Sequence, residues 1–380
     1  MKTFENIPFI DLKSQYIDLK QNINKRINNV LDHGIFINGP EVSIFEEDLC
    51  NFTSVKHSIS CANGTDALSI ALMALNTNRD DVVFVPSFTY ISSVEAIALL
   101  GAIPFFVDVD FDFNICPVSL ENAILDSLKL DLKPSVVIPV DLFGKPSKSE
   151  KLDAVIAKYN LKVIYDAAQS FGAEYKGEKV GNFGDITTTS FFPAKPLGCY
   201  GDGGALFTND DAIASKIRSI KNHGMGNHKY EHINLGMNSR LDTIQAAILI
   251  EKLDVFSKEL ITRNEIARFY SNNINDIDKL LITPEVKPGN LYSWAQYTLI
   301  SPKRDEIMKK LKELSIPTAI YYPLPLNKQE AYKDNYVVSS GIKNSEKLCK
   351  QVFSLPMSPY LDRTHQDYII SSLNKIIDDL

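Results

Sequence analysis

The chain has 380 residues and a formal net charge of -7, its 40 Lys and Arg spread along the chain against 47 Asp and Glu. That length allows a large core with a site between domains, while the lack of a basic tract argues against a nucleic-acid backbone or an anionic membrane as partner. Five widely spaced cysteines, with no C-x-x-C pair and no Cys/His cluster, point to reduced thiols and no metal. The start MKTFENIPFIDLKSQYIDLK lacks the apolar run of a signal peptide and no stretch is long enough to span a membrane, so a cytoplasmic protein is expected.

From about residue 58, short apolar runs alternate with helical segments. The strand candidates are VVFVP (82–86), PFFVDVD (104–110), VVIPVD (136–141), KVIYDAA (162–168), ITTTSFF (186–192) and GALFTN (204–209). Several are nearly continuous in apolar residues, as strands covered on both faces are. Between them, 64–75, 92–100, 119–128 and 147–159 suit helices, each opening at or beside a Ser or Asn able to cap it. The alternation predicts an α/β fold with a mostly parallel sheet, whose ligands collect beyond the carboxyl ends of the strands. After Leu241 comes a long helical run through Gln245, Lys252 and Arg268, then strand-like YTLI (297–300), a helix over 304–314, the proline-rich YYPLPLN and a last helix from Thr364. These features predict a smaller α+β domain, with the division set at 1–255, including an N-terminal arm, and 256–380.

The residues with chemistry follow strand candidates. Asp166 ends VIYD, with Gln169 three residues on; Gly64 and Thr65 open a helix in SCANGTDAL; Ser190 lies five residues before Lys195. A helix start exposes amide N–H groups that hold phosphate, although an ordinary N-cap has the same residues. Asp166 equally suits a helix cap, and Lys195 a solvated loop. Phe191, Phe192, Pro193, Pro196 and Leu197 surround that lysine, however, and desolvation lowers a lysine pKa toward the range of a nucleophile or base. A phosphate cradle, an acid for a pyridinium nitrogen, an aromatic ring and a shielded lysine together suit pyridoxal phosphate.

The chain resembles the DegT/DnrJ/EryC1/StrS family of nucleotide-sugar aminotransferases. It does so through PFIDLKSQY (8–16), GPEVSIFE (39–46), NGTDAL (63–68), VPSFTYISS (85–93), DLFGKP (141–146), DAAQSFGA (166–173), SFFPAKPLGCYGDGGA (190–205) and GMNSRLDTIQAAIL (236–249). The resemblance implies fold-type I, the aspartate-aminotransferase-like pyridoxal phosphate fold, with a central sheet sandwiched by helices. It makes Lys195 the lysine that carries the cofactor and Asp166 the partner of the ring nitrogen. Tyr90 lies against a ring face, Gln169 near the ring and O3', and Gly64, Thr65 and Ser190 on the phosphate. Asn238 is expected to reach the phosphate of a neighbouring subunit, so that a homodimer has composite active sites. Some relatives have histidine in place of the lysine and act as dehydratases; lysine here implies amino transfer, with L-glutamate as the donor.

Within the family, KPLGCYGDGGA, IPTAIYYPLPLNKQ (316–329) and SLPMSPYL (354–361) look most like enzymes that aminate C3 of UDP-2-acetamido-2-deoxy-3-oxo-glucuronate, for surface-polysaccharide sugars. A dTDP-3-oxo-6-deoxyhexose 3-aminotransferase is the runner-up, and a non-catalytic aminosugar sensor the alternative of another class. No DNA-binding segment is expected, since the chain starts almost at the first matching motif. Arg240 is the candidate for a substrate carboxylate, or else an interface ion pair or a phosphate neighbour. His223, with His228 in the same loop, and Tyr321 are the other candidate substrate contacts. Asn327 and Ser358 depart from the histidines that close relatives often have.

Overall fold

The structure, a computed structural model, describes residues 7–228, 230–274, 280–332, 337–338 and 341–380. Its strands are β1 (His57–Cys61), β2 (Asp81–Pro86), β3 (Ile103–Val107), β4 (Lys133–Val137), β5 (Lys162–Asp166), β6 (Glu174–Tyr175), β7 (Glu178–Lys179), β8 (Ile186–Ser190), β9 (Gly204–Thr208), β10 (Tyr297–Ile300), β11 (Val337–Val338) and β12 (Val352–Leu355). Eight of them form one sheet in the order β1-β9-β8-β5-β4-β2-β3-β11. All pairs are parallel except those of β9, which runs against both β1 and β8.

The apolar runs are continuous because both faces of the sheet are covered. Along β2, Val82 and Phe84 enter one core with Phe105, Val163 and Tyr165, while Val83 and Val85 enter another with Ile70, Leu72 and Ile164. The period-2 alternation of a strand does this, and all four β2 residues are fully buried. The expected mostly parallel sheet with flanking helices is therefore present.

Some boundaries differ from expectation, for local reasons. The run VVIPVD contributes only Val136 and Val137 to β4, which starts earlier, at Lys133, and the ladder stops before Pro139, which has no N–H to give to it. Its carbonyl still accepts from Asp166 N at 2.9 Å. The helix expected from Ser147 starts at Glu150 with Ser149 as its cap, since the amide and hydroxyl of Ser147 both donate to Asp141. The one expected from Ser119 starts at Pro117, a residue suited to the first helical position, and Ser119 Oγ accepts from Asp108 N instead. Strand β1 and the helices Leu12–His33, Pro40–Thr53 and Asp211–Ile220 were not among the expected elements.

The helix Thr243–Asn273 runs unbroken across residues 255 and 256. Its N-terminal part, through Ala246, Leu249, Phe256 and Leu260, packs against Phe45, Phe171, Phe191 and Leu197. Its second half, with Ile266, Ala267 and Tyr270, packs against Trp294, Tyr297, Phe353, Ile369 and Leu373. No helix among the described residues is long and apolar enough to cross a membrane. Among those residues, no group of three or more His, Cys, Asp or Glu is arranged to hold a metal ion.

Candidate active site

Parallel strands β5 and β8 end side by side, with Ala167 N donating to Thr188 O at 2.8 Å. They deliver Asp166 and Ser190 to the carboxyl edge of the sheet. Asp166 is 6% exposed; its Oδ2 accepts from Ser93 Oγ at 3.0 Å and its Oδ1 from Ala168 N at 3.1 Å. Burial raises its pKa, against the pull of the Ala168 amide, the Lys195 charge and the Ser93 hydroxyl. Lys195 is half-buried; desolvation lowers its pKa, and the charge of Asp166 opposes the change, while Phe192, expected among its shielding neighbours, faces solvent. No ion pair joins the two, and Lys195 Nζ has no hydrogen-bond partner among the described residues. An uncommitted amine therefore sits within the field of a buried carboxylate.

The loop that carries Lys195 is closed at its neck. Phe191 N donates to Gly203 O at 2.7 Å, Cys199 N to Phe191 O at 2.8 Å and Lys195 N to Phe192 O at 2.8 Å. Phe191 and Leu197 anchor it in the core beneath. Gly198 belongs here because a Cβ would lie 2.5 Å from Pro193 O.

The helix Gly64–Ala74 starts beside Ser190. Asn63 caps it by accepting from Asp66 N at 2.8 Å, and its carbonyl accepts from Ala67 N at 3.1 Å. The amides of Gly64 and Thr65 are left without an acceptor among the described residues. Thr65 Oγ1 shares a hydrogen bond with Ser92 Oγ at 2.7 Å, and a Cβ on Gly64 would lie 2.7 Å from that of Ser190. Two free amides and three hydroxyls thus gather at a helix N-terminus, a donor set matched to an anion. Sequence reasoning missed Ser92 and Ser93, although the paired serines of VPSFTYISS were the available signal.

Gln169 is fixed at both ends of its amide. Oε1 accepts from Phe143 N at 2.6 Å, and Nε2 donates to Tyr322 Oη at 3.2 Å. Tyr90, 54% exposed, has its ring 6.0 Å from that of Tyr322. The segment YYPLPLN thus brings Tyr322 to Gln169, while the expected contact Tyr321 lies half-buried with its ring 6.3 Å from Phe9. Tyr322 was missed, and so was Asp141. This fully buried carboxylate accepts from Ser147 and from Ser170 Oγ, and burial pushes its pKa up to about 6.

Asn238, Arg240 and His223 form a second group. An antiparallel bridge joins Asn222 to Asn238, Arg240 donates to both Asn222 and Asn238, and His223 N donates to Met237 O. Asn238 and His223 are exposed and Arg240 is half-buried. No hydrogen bond or ion pair among the described residues links this group to Lys195 or Asp166. Ser239 between them is held to the strand end that precedes Gly64, its Oγ accepting from Ala62 N at 3.2 Å. His228 is exposed in the same loop. Both departures from the family pattern are buried: Asn327 accepts from Ser87 Oγ at 2.8 Å, and Ser358 Oγ accepts from Tyr360 N at 3.3 Å.

Residues 17–374 match the DegT/DnrJ/EryC1/StrS aminotransferase family. The chain is 45% identical to the UDP-2-acetamido-2-deoxy-3-oxo-D-glucuronate aminotransferase of Pseudomonas aeruginosa, over 97% of this chain and 99% of that one. It is 39% identical to the pleiotropic regulatory protein of Geobacillus stearothermophilus, over 97% and 98%. Among solved structures, it is similar to a DegT DnrJ EryC1 StrS aminotransferase from Brucella abortus, with a TM-score of 0.94 and 44% identity, covering 97% of this chain and 99% of that one. It is also similar to S. venezuelae DesV in complex with a ketimine intermediate, with a TM-score of 0.91, 32% identity and 98% of each chain covered. Likeness that extends over nearly the whole of each chain makes this protein a member of the DegT/DnrJ/EryC1/StrS aminotransferase family.

Proposed function

We propose that the protein is a cytoplasmic pyridoxal-phosphate-dependent aminotransferase that transfers an amino group from L-glutamate to C3 of UDP-2-acetamido-2-deoxy-3-oxo-glucuronate. The observation that carries the chemistry is the buried Asp166 beside an uncommitted, desolvated Lys195. The choice of sugar is supported by likeness to the Pseudomonas enzyme.

The residues fit the cofactor. Gly64, Thr65, Ser92 and Ser190 have the donors its phosphate requires, in a cradle that a Cβ on Gly64 would fill. Asp166 suits the ring nitrogen, Tyr90 a ring face, Gln169 the edge near O3', and Lys195 the covalent attachment. When bound, the cofactor supplies a ring that takes up the electrons left as a proton leaves the carbon bearing the amine. Asp166 holds the proton on the ring nitrogen, and a cationic nitrogen beside it favours the carboxylate that burial alone disfavours. The lowered pKa of Lys195 favours a neutral Nζ, which takes the proton from the donor Cα and returns it at the cofactor's C4'. Ser93 and the Ala168 amide hold Asp166 in place, and Tyr322 and Phe143 hold Gln169.

We assign Asn238 to the cofactor phosphate of a neighbouring subunit and Arg240 to the substrate carboxylate, with His223 and Tyr321 as further sugar contacts in a homodimer. Asn238 is exposed and so available to a partner. The chain divides into a large cofactor domain and a smaller C-terminal α+β domain that share the helix Thr243–Asn273.

The test compares purified wild type with Lys195→Ala. Wild type should show a visible absorption band that L-glutamate removes, and the variant should lack it; a colourless wild type that takes up no added cofactor overturns the proposal. Reverse reactions on the UDP-linked 3-amino-uronate and on a dTDP-linked 3-amino-deoxyhexose, each with Arg240→Ala, then test the sugar. Turnover of only the deoxyhexose refutes the uronate, and equal losses on both substrates remove Arg240 from carboxylate recognition. Heterodimers of Lys195→Ala with Asn238→Ala should regain activity if the sites are composite.

A further inference from the structure

The helix Thr243–Asn273 buries an ammonium directly beneath the Lys195 loop. Lys252 is 1% exposed, and its Nζ donates to Gly198 O at 2.6 Å. The same Nζ lies 4.3 Å from the ring centroid of Tyr200. One heptad earlier on this helix, Gln245 Oε1 accepts from Tyr200 N at 2.9 Å. Two side chains of one helix therefore grip Gly198 and Tyr200, and the turn at Gly198 leaves no room for a side chain, since a Cβ there would lie 2.5 Å from Pro193 O and 2.7 Å from Phe192 O.

No ion pair reaches Lys252 among the described residues; Glu259, two turns on, attracts it from a distance, and desolvation lowers its pKa to about 8. A methionine would fill this volume without the cost of burying a cation. What the ammonium contributes that an apolar chain cannot is a charge-assisted bond to Gly198 O, with an aromatic face beneath the charge.

We propose that Lys252 is a positioning residue for Lys195: by pinning Gly198 it fixes the turn of the 191–199 loop, and so the place from which Lys195 Nζ reaches the cofactor. The proposal rests on Lys195 as the attachment residue. In the attachment, Lys195 Nζ adds to the cofactor's aldehyde carbon and a C=N bond forms with loss of water. This bond needs Nζ at a defined point, whereas pyridoxamine 5'-phosphate, which has no aldehyde, binds without it.

The experiment measures both affinities in wild type, Lys252→Met, Lys252→Gln and Lys252→Arg. Borohydride reduction followed by mass spectrometry reads the fraction of Lys195 joined to pyridoxal phosphate; fluorescence titration reads pyridoxamine phosphate. Loss of a charge-assisted bond should weaken attachment about tenfold in the Met and Gln variants, with pyridoxamine phosphate affinity unchanged within about threefold and partial recovery in the Arg variant. The Gln variant carries the test if the Met variant does not fold. Attachment equal to wild type in a folded neutral variant overturns the inference, as does an equal loss of both affinities, which marks a purely structural residue. Absence of attachment in wild type refutes the assignment of Lys195 itself.

Discussion

Ser190 and Gly64 meet so closely that a Cβ on the glycine would lie 2.7 Å from the serine Cβ. The contact joins the end of β8, held in the sheet, to the first turn of the helix after β1. Gly64→Ala should therefore push Ser190 and the free amides apart and weaken pyridoxal phosphate binding at least about tenfold, or ~1.4 kcal/mol. Equilibrium dialysis checks this, and unchanged affinity would mean that the phosphate is held elsewhere.

Ser93→Ala removes the hydroxyl donor from Asp166 Oδ2. A buried carboxylate then loses a hydrogen bond worth about 1.5–3 kcal/mol, and its pKa rises further. The acid limb of kcat/KM against pH should move upward by about one unit. If the limb stays in place, Asp166 is not the group it reports.

Asp141 should act on stability with a definite sign. Its folded pKa of about 6 lies above the ordinary 3.8, so between those values the folded state keeps a proton that the unfolded state has released. The stability it contributes is full below the lower value and is lost as pH rises through the upper one, on the order of 3 kcal/mol in total. Urea unfolding of Asp141→Asn across this window should lack that component of the slope. An identical slope in wild type and variant would refute the assignment.

Tyr322→Phe deletes the acceptor of Gln169 Nε2. A buried amide left without it should cost about 1 kcal/mol in chemical unfolding, and kcat/KM should fall as Gln169 loses its second anchor. A variant at least as stable as wild type would show that this hydrogen bond contributes nothing to folding.

Much of this site is legible in sequence because its parts are local. Asp166 and Gln169 lie on one turn after one strand, and Lys195 lies between its own core anchors, Phe191 and Leu197. The sheet was legible where strands read as VVFVP, but β1 is HSISC: its buried Ser60 is satisfied by Glu46, from a helix fourteen residues earlier, a bond that no periodicity reveals. Ser93 and Tyr322 were missed for the same reason, reaching Asp166 and Gln169 across 73 and 153 residues. Ser147 and Ser119 look like helix caps, yet their side chains engage Asp141 and the Asp108 amide. Tertiary partners outbid the local signal there.

The helix Thr243–Asn273 acts as a spine common to two cores, and this constrains how the chain can come apart. The C-terminal core cannot melt alone without stripping its cover from the second half of the spine, and unwinding there leads toward Lys252 and the loop it grips. Heat should therefore disrupt both cores together, and amide protection along the helix should be lost in one cooperative step. A fragment cut at residue 255 would expose the end of an apolar seam and lose Phe256 and Leu260, which reach back beneath Phe171. Such a fragment should aggregate rather than fold.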